Sequence, residues 1–274
     1  MTDLLRLVRI NNLLLAGAGV LAGGWIALGA VRTPNVLALA AVAAVGVAMA
    51  GNVLNDIWDQ AADRVNRSGG ERPLATGRVT RGTADLCVAG GAVIGLGAAA
   101  FVNGTAVLVG LAAFAVLGLY SPVLKRRGLP GNVAVALLGG LPLIYGALAV
   151  GHAAAGIVPW ILATWIHLVR EIVKDIDDQT GDQTLGRRTL PLVLGARPAS
   201  LVAAGLAAAF VPLSLALPAA AHYRSAYFLL ALFAQLVVLA VASRLFTGRT
   251  QGNSRLLKGA MLVGIVALVA GRVA

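Results

Sequence analysis

Residues 36 to 63 read VLALAAVAAVGVAMAGNVLNDIWDQAAD, an apolar run broken only by Asn52 as far as Leu54, followed by carboxylates at Asp56, Asp59 and Asp63. About 20 apolar residues suffice for a helix to cross the roughly 30 Å hydrocarbon core of a bilayer, so this stretch reads as a membrane helix with an acidic end. If the helix continues, Asp56, Asp59 and Asp63 are spaced i, i+3, i+7 and share one narrow arc, with Asn52 a turn earlier on the same face. Three like charges there repel one another. A hard divalent cation or a basic partner relieves that repulsion, and such cations take oxygen ligands while keeping waters or phosphate oxygens. The cluster therefore reads as a metal site holding a phosphorylated substrate. The plainer alternative is a solvated helix end with scattered charge.

A second cluster repeats the first about 120 residues on. Asp175, Asp178 and Asp182 have the same spacing and follow another apolar run, although Gly181 is expected to end the helix before Asp182. Asp177 points away from Asp175 on a helix and is left out of the site. Two such clusters facing each other across a cavity suit a diphosphate bridged by two cations.

The surrounding chain has the same character. Of its 274 residues 59% are hydrophobic and 12% charged, with mean hydropathy +0.86, far from the mix of a soluble domain. Apolar runs at 11–31, 36–55, 84–102, 105–121, 131–150, 155–174, 198–218, 225–243 and 256–272 predict an all-α, multi-pass membrane bundle of about nine helices, a single domain over 1–274. The first run is long and lacks a cleavage site, so it reads as a retained helix.

Placing the N-terminus in the cytoplasm leaves only Arg32, Arg224 and Arg272 of the 22 Lys and Arg outside, and puts all 11 Asp and Glu inside. The acidic clusters are then cytoplasmic, and a plasma-membrane location follows. The net charge of +11 lies in loops between spans, which points to anionic headgroups or a phosphate substrate and not to nucleic acid. The single Cys87 lies in an apolar helix, which excludes a disulfide within the chain.

Other polar groups cluster near the same end. Arg9 and Asn12 open the first helix, where they can anchor it or hydrogen-bond a polar substrate. A polar loop from Arg67 to Arg81, with a Pro73–Gly77 turn, is long enough to serve as a lid, and Arg67 and Arg72 are candidate phosphate contacts. Tyr120 and Lys125 end the fourth span, Lys125 within reach of a diphosphate. Gly139, Gly140 and Pro142 predict close packing or a kink in the fifth. The sixth carries His167, read as a hydrogen-bonded structural residue, with Arg170, Glu171 and Lys174. Arg187 and Arg188 are further candidate phosphate contacts. The last three spans hold almost nothing polar except Gln235, which a helix-to-helix hydrogen bond explains.

An apolar chamber with acidic and basic groups at its mouth fits a long hydrocarbon carrying a diphosphate head. Cations and basic groups would stabilise a departing diphosphate, and lipid-like walls would shield the carbocation-like carbon from water. Asn55-Asp56-x-x-Asp59-x-x-x-Asp63, Arg72-Pro73-Leu74 with Gly77-Arg78, and Lys174-Asp175-x-x-Asp178-x-x-Gly181-Asp182 resemble the paired motifs of the UbiA superfamily of intramembrane prenyltransferases. The resemblance implies nine helices around a central cavity, Mg2+ held through Asn55, Asp56, Asp59 and Asp63 and through Asp175, Asp178 and Asp182, and transfer from a polyprenyl diphosphate donor. It also implies diphosphate contacts at Arg67, Arg72, Lys125 and Lys174. Arg9-x-x-Asn12, the segment from Arg170 to Ile176, and Thr189-Leu190-Pro191 are most similar to the branch that makes digeranylgeranylglyceryl phosphate. That branch adds a geranylgeranyl chain to a prenylglyceryl phosphate to form an ether lipid. Members that prenylate 4-hydroxybenzoate or another aromatic acceptor share the Asp motifs, so an aromatic prenyltransferase of quinone synthesis stands as the alternative.

Two other classes fit less well. A cation transporter places its ionisable groups near the bilayer midplane, whereas these lie at helix ends. Phosphotransferases acting on nucleotide-linked lipids carry a compact Asp-Gly repeat that is absent here.

Overall fold

In the computed structural model, which describes residues 2–30, 32–66, 72–184 and 186–272, every apolar run is a helix. A short α1 (Thr2–Leu7) precedes α2 (Ile10–Leu28), α3 (Pro34–Asn66), α4 (Arg81–Ala100), α5 (Gly104–Leu119), α6 (Leu129–Ala149) and α7 (Ile157–Asp177). Two short helices, α8 (Gln179–Thr184) and α9 (Leu190–Leu194), lead to α10 (Ala196–Ala220), α11 (Ser225–Phe246) and α12 (Asn253–Ala270). Among the described residues, nine helices are long and apolar enough to span a membrane: α2 to α7 and α10 to α12. The helix that begins the second expected span does not stop at residue 55. It continues to Asn66, so the first acidic cluster lies on unbroken helix.

The elements begin and end where local chemistry directs. Thr80 accepts a hydrogen bond from Thr83 N–H at the start of α4, and Asn103 accepts one from Ala106 N–H at 2.8 Å at the start of α5, each satisfying a helix N–H. Past Leu119 the backbone widens into a π turn over Tyr120–Leu124, which contains Pro122, whose missing N–H cannot join the α pattern. Gly128, at φ 67°, follows Lys125–Arg127; a Cβ there would lie 2.0 Å from the Arg188 carbonyl oxygen. Only glycine allows both that backbone and that approach, which brings the 187–189 segment beside Lys125.

The helices close into a ring. α3 packs on α4, α2 on α3 and α6, α6 on α7, α7 on α10, α10 on α11 and α11 on α12, which returns to α7 and α2. Within lipid there is no hydrophobic gain from helix association, so small residues that admit close van der Waals contact dominate the seams. A Cβ on Gly46 of α3 would stand 2.6 Å from Gly95 Cα of α4. One on Gly146 of α6 would stand 2.0 Å from the Val20 carbonyl oxygen of α2. The Gly139–Gly140 pair meets the His167 ring and Thr164 of α7, as close packing there predicted. Gly146→Leu is expected to cost about 3 kcal/mol by forcing α2 from α6. Its thermal midpoint in detergent should fall, while Gly205→Leu, where a Cβ meets nothing within 4 Å, should leave it in place.

A third contact layer holds the mouth of the bundle. Leu7 and Val8 pack with Val53, Ile57, Leu74 and Ala84, and Cys87 lies against this cluster, as its apolar setting implied. Leu74 is 1% exposed, and its carbonyl accepts from Gln60 Nε2 at 3.2 Å. The Pro73–Gly77 turn is therefore tied to α3, with Thr76 N–H donating to the Arg72 carbonyl at 3.1 Å. The part of the expected lid at 67–71, including Arg67, lies outside the described residues.

Candidate active site

Asp56, on the helix that carries the first cluster, is only 3% exposed. Arg9 Nη2 reaches its Oδ1 at 2.6 Å, and Arg72 Nη1 donates to the same oxygen. Arg9 gets there through a left-handed backbone (φ 57°, ψ 59°) that separates α1 from α2, a conformation uncommon outside glycine. Lys125, delivered by the turns after α5, pairs with Asp59, and Arg72 Nε lies 3.7 Å from Asp63. Ser121 Oγ donates to Asn55 Oδ1, and Asn52 Nδ2 donates to the Val8 carbonyl at 3.2 Å.

The second cluster is built differently. α7 turns Val169, Ile172, Val173 and Ile176 into the core and presents His167, Arg170, Lys174 and Asp175 to the cavity. The helix breaks at Asp178 (φ −96°, ψ 8°), not at Gly181, and α8 restarts immediately. Asp182 N–H donates to the Asp178 carbonyl at 3.0 Å, so the break keeps the two residues together. Asp175 Oδ2 accepts from Asn132 Nδ2 at 2.7 Å, and Asp182 Oδ1 accepts from Arg187 Nη1 at 2.6 Å. Glu171, 7% exposed, takes Arg170 at 3.1 Å and Lys174 at 3.0 Å.

Both clusters serve one cavity of about 650 Å³. Its mouth is lined by Arg9, Asn12, Asn52, Asn55, Arg72, Tyr120 and Lys125 from the N-terminal half and by Arg170, Lys174, Asp175, Asp178 and Asp182 from α7 and α8. Its depth is apolar, with Phe210, Val238, Met261 and Ile265 from the last three helices, in keeping with the near absence of polar residues in those spans. Gln235 Nε2 donates to Ser214 Oγ at 3.0 Å, the expected bond between helices. Asp56, Asp59 and Asp63 stand behind Arg9, Arg72 and Lys125 and do not line the cavity wall themselves. Among the described residues no three His, Cys, Asp or Glu side chains gather into a cage for one ion.

Two groups escaped the sequence reading, and one was misread. Asn132 supports Asp175 and Ser121 supports Asn55; an amide beside an apolar helix was the available signal for Asn132, whereas a lone serine after Tyr120 carried none. His167 lines the cavity over Gly139 and makes no hydrogen bond to a described residue, against the structural role expected of it. The reason is that the facing helix offers glycine, which has no side chain to bond.

Among the described residues, nine membrane-length helices surround a chamber with an ionic mouth and apolar walls, a shape that suits a ligand with a charged head and a long hydrocarbon tail. The chain matches the UbiA prenyltransferase family over residues 16–265 and belongs to that family, so it is a multi-pass membrane prenyltransferase. A digeranylgeranylglyceryl phosphate synthase of Halobacterium salinarum is 38% identical over 98% of this chain and 96% of its own. One from Methanopyrus kandleri is 35% identical over 97% of each. A solved structure concerned with digeranylgeranylglyceryl phosphate synthase in membranes superposes with TM-score 0.84 at 25% identity, covering 99% of this chain and 98% of its own. A UbiA homologue from Archaeoglobus fulgidus, bound to DMAPP and Mg2+, shares the fold with TM-score 0.71 at 18% identity, over 98% of this chain and 97% of its own.

Proposed function

We propose that this chain, as one membrane domain over 1–274, transfers a geranylgeranyl group from its diphosphate to the free hydroxyl of geranylgeranylglyceryl phosphate. The observation that carries the reading is a chamber whose mouth sets Asp175, Asp178 and Asp182 beside cations that the first acidic cluster holds from behind, and whose depth is apolar. Near full-length similarity to two digeranylgeranylglyceryl phosphate synthases supports this acceptor over an aromatic one.

The donor's allylic C–O bond breaks and the electron pair leaves with the diphosphate. The acceptor oxygen then forms the ether bond and loses its proton. Arg9, Arg72 and Lys125 face the mouth and neutralise charge that grows on the leaving group, and Arg170 and Lys174 line its α7 side. Asn12, Asn52 and Tyr120 border the same mouth and orient the head. The walls exclude water from the electron-poor carbon.

The donor set fits a hard cation: Asn55, Asp175, Asp178 and Asp182 offer oxygen ligands at the mouth, with the carboxylates of Asp56, Asp59 and Asp63 one side chain behind it. Asn55, Asp56, Asp59 and Asp63 on one side and Asp175, Asp178 and Asp182 on the other would hold Mg2+. When bound, the ion supplies Lewis-acid neutralisation of the diphosphate. Arg67 is a further proposed contact. The basic loops support an orientation with N-terminus and mouth in the cytoplasm, in the cell's plasma membrane, where membrane lipids supply the setting for both substrates.

The test uses purified protein with Mg2+ and geranylgeranyl diphosphate, offered geranylgeranylglyceryl phosphate and 4-hydroxybenzoate in parallel. Ether product identified by mass is expected, lost on chelation with EDTA and restored by Mg2+. Prenylated 4-hydroxybenzoate alone would move the chain to the aromatic alternative, and turnover that survives chelation would reject the ion's role.

A further inference from the structure

We infer that Lys258, on the cavity face of α12, completes with Arg170 and Lys174 a second anion subsite that takes the phosphate of the acceptor. This rests on the ether-lipid reading above. That reaction brings two phosphorylated lipids into one chamber, so two anionic heads need places.

The first place is the mouth between the clusters. There each cation has a carboxylate partner: Arg9 and Arg72 on Asp56, Lys125 on Asp59, Arg187 on Asp182. The wall formed by α7 and α12 is not paired off in this way. Arg170 and Lys174 share one carboxylate, Glu171, and Arg170 Nε is buried without a hydrogen-bond partner among the described residues. Lys258 lines the same cavity and has no ion-pair or hydrogen-bond partner among the described residues. Among the described residues, Asp175 and Asp178 line the same side of the cavity without an ion pair, so what sets this wall apart is not its net charge but that Lys258 and the Arg170 Nε are left without a partner.

The placement also suits a ligand. α7 ends and α12 begins at the same end of the bundle, and the two helices pack together. At 1.5 Å per residue, Lys258 lies about 8 Å in from the start of α12, a depth similar to those of Lys174 and Arg170, about 5 and about 10 Å in from the end of α7. Below Lys258, Met261, Ile265 and Leu268 continue its cavity face as an apolar stripe, where a prenyl tail attached to that head would lie. Neighbouring basic residues at this end serve the fold. Arg197 donates to the carbonyls of Leu245 and Phe246 at 3.2 and 2.6 Å, and Arg244 to Asn253 Oδ1 at 2.7 Å. Lys258 makes no such bond and is exposed to the cavity.

The experiment compares geranylgeranylglyceryl phosphate with the phosphate-free alcohol geranylgeranylglycerol, each with geranylgeranyl diphosphate and Mg2+. Wild-type protein should prefer the phosphorylated acceptor by kcat/KM. Lys258→Ala should shrink that preference at least tenfold through a higher KM for the phosphorylated acceptor, Lys258→Glu more so, and Lys258→Arg should keep most of it. An unchanged preference in Lys258→Ala overturns the assignment, as does a KM for the donor that rises by the same factor. Wild-type protein without preference for the phosphorylated acceptor overturns it too. Wild-type turnover of 4-hydroxybenzoate alone would instead remove the underlying reading and this subsite with it.

Discussion

Asp175→Asn is expected to lower turnover about a thousandfold while the bundle stays folded, the size associated with losing one preorganised electrostatic group at a reacting centre. Asp175 lines the cavity, and among the described residues the only side-chain hydrogen bond it receives is that of Asn132, at 2.7 Å. An asparagine has the same shape and still offers an oxygen to Asn132, so the substitution removes charge and little else. The loss should appear in kcat more than in the KM for the donor, because the carboxylate's contribution grows as the diphosphate departs. A thermal midpoint close to wild type would separate lost chemistry from lost fold. Retained turnover would remove the second cluster from the reaction.

Asp56→Ala is expected to damage stability and activity together. Its carboxylate holds two arginines from distant segments, Arg9 from the α1–α2 junction and Arg72 from the loop after α3. Deleting one partner of a buried pair typically costs about 3–5 kcal/mol; both arginines keep some solvent contact, which places this case at about 3 kcal/mol. The double variant Asp56→Ala, Arg72→Ala should regain part of the stability, since one stranded cation is gone, and none of the activity. If the double variant recovered turnover as well, Asp56 would be a structural anchor only. Thermal midpoints and product formation on the same preparations decide between these outcomes.

Much of this architecture was legible in the sequence because lipid leaves the chain few choices. Runs of apolar residues long enough to cross hydrocarbon become helices, and their charged breaks mark the ends. The helical spacing of Asp56, Asp59 and Asp63 held because nothing between Pro34 and Asn66 interrupts the backbone. The second cluster was read with the right residues and the wrong break: glycine at 181 drew attention, yet the chain turned at Asp178. A helix interior tolerates a glycine, whereas the end of a transmembrane helix is set by where its neighbours stop. Which cation sits on which carboxylate was not legible. Arg9 and Asp56 are 47 positions apart, and Lys125 and Asp59 are 66 apart; spacing along one helix cannot report contacts between segments so distant. Nor was it legible that Lys258, at the start of the ninth apolar run, faces the cavity, since only the packing of α12 onto α7 and α2 places it there.

The glycine seams have a mechanical consequence. Where α3 meets α4, α2 meets α6 and α6 meets α7, backbone lies against backbone or against a fixed side chain, with no layer of rotatable groups to deform. α10 and α12 have no such seam: a Cβ at Gly205, Gly259 or Gly264 would meet nothing within 4 Å. The molecule is therefore stiff along the spans α2 to α7, which carry both acidic clusters, and more compliant along α10 and α12. Room for a second long chain is expected from rotamer changes in α10 to α12 and not from a shift of the helices that carry the carboxylates.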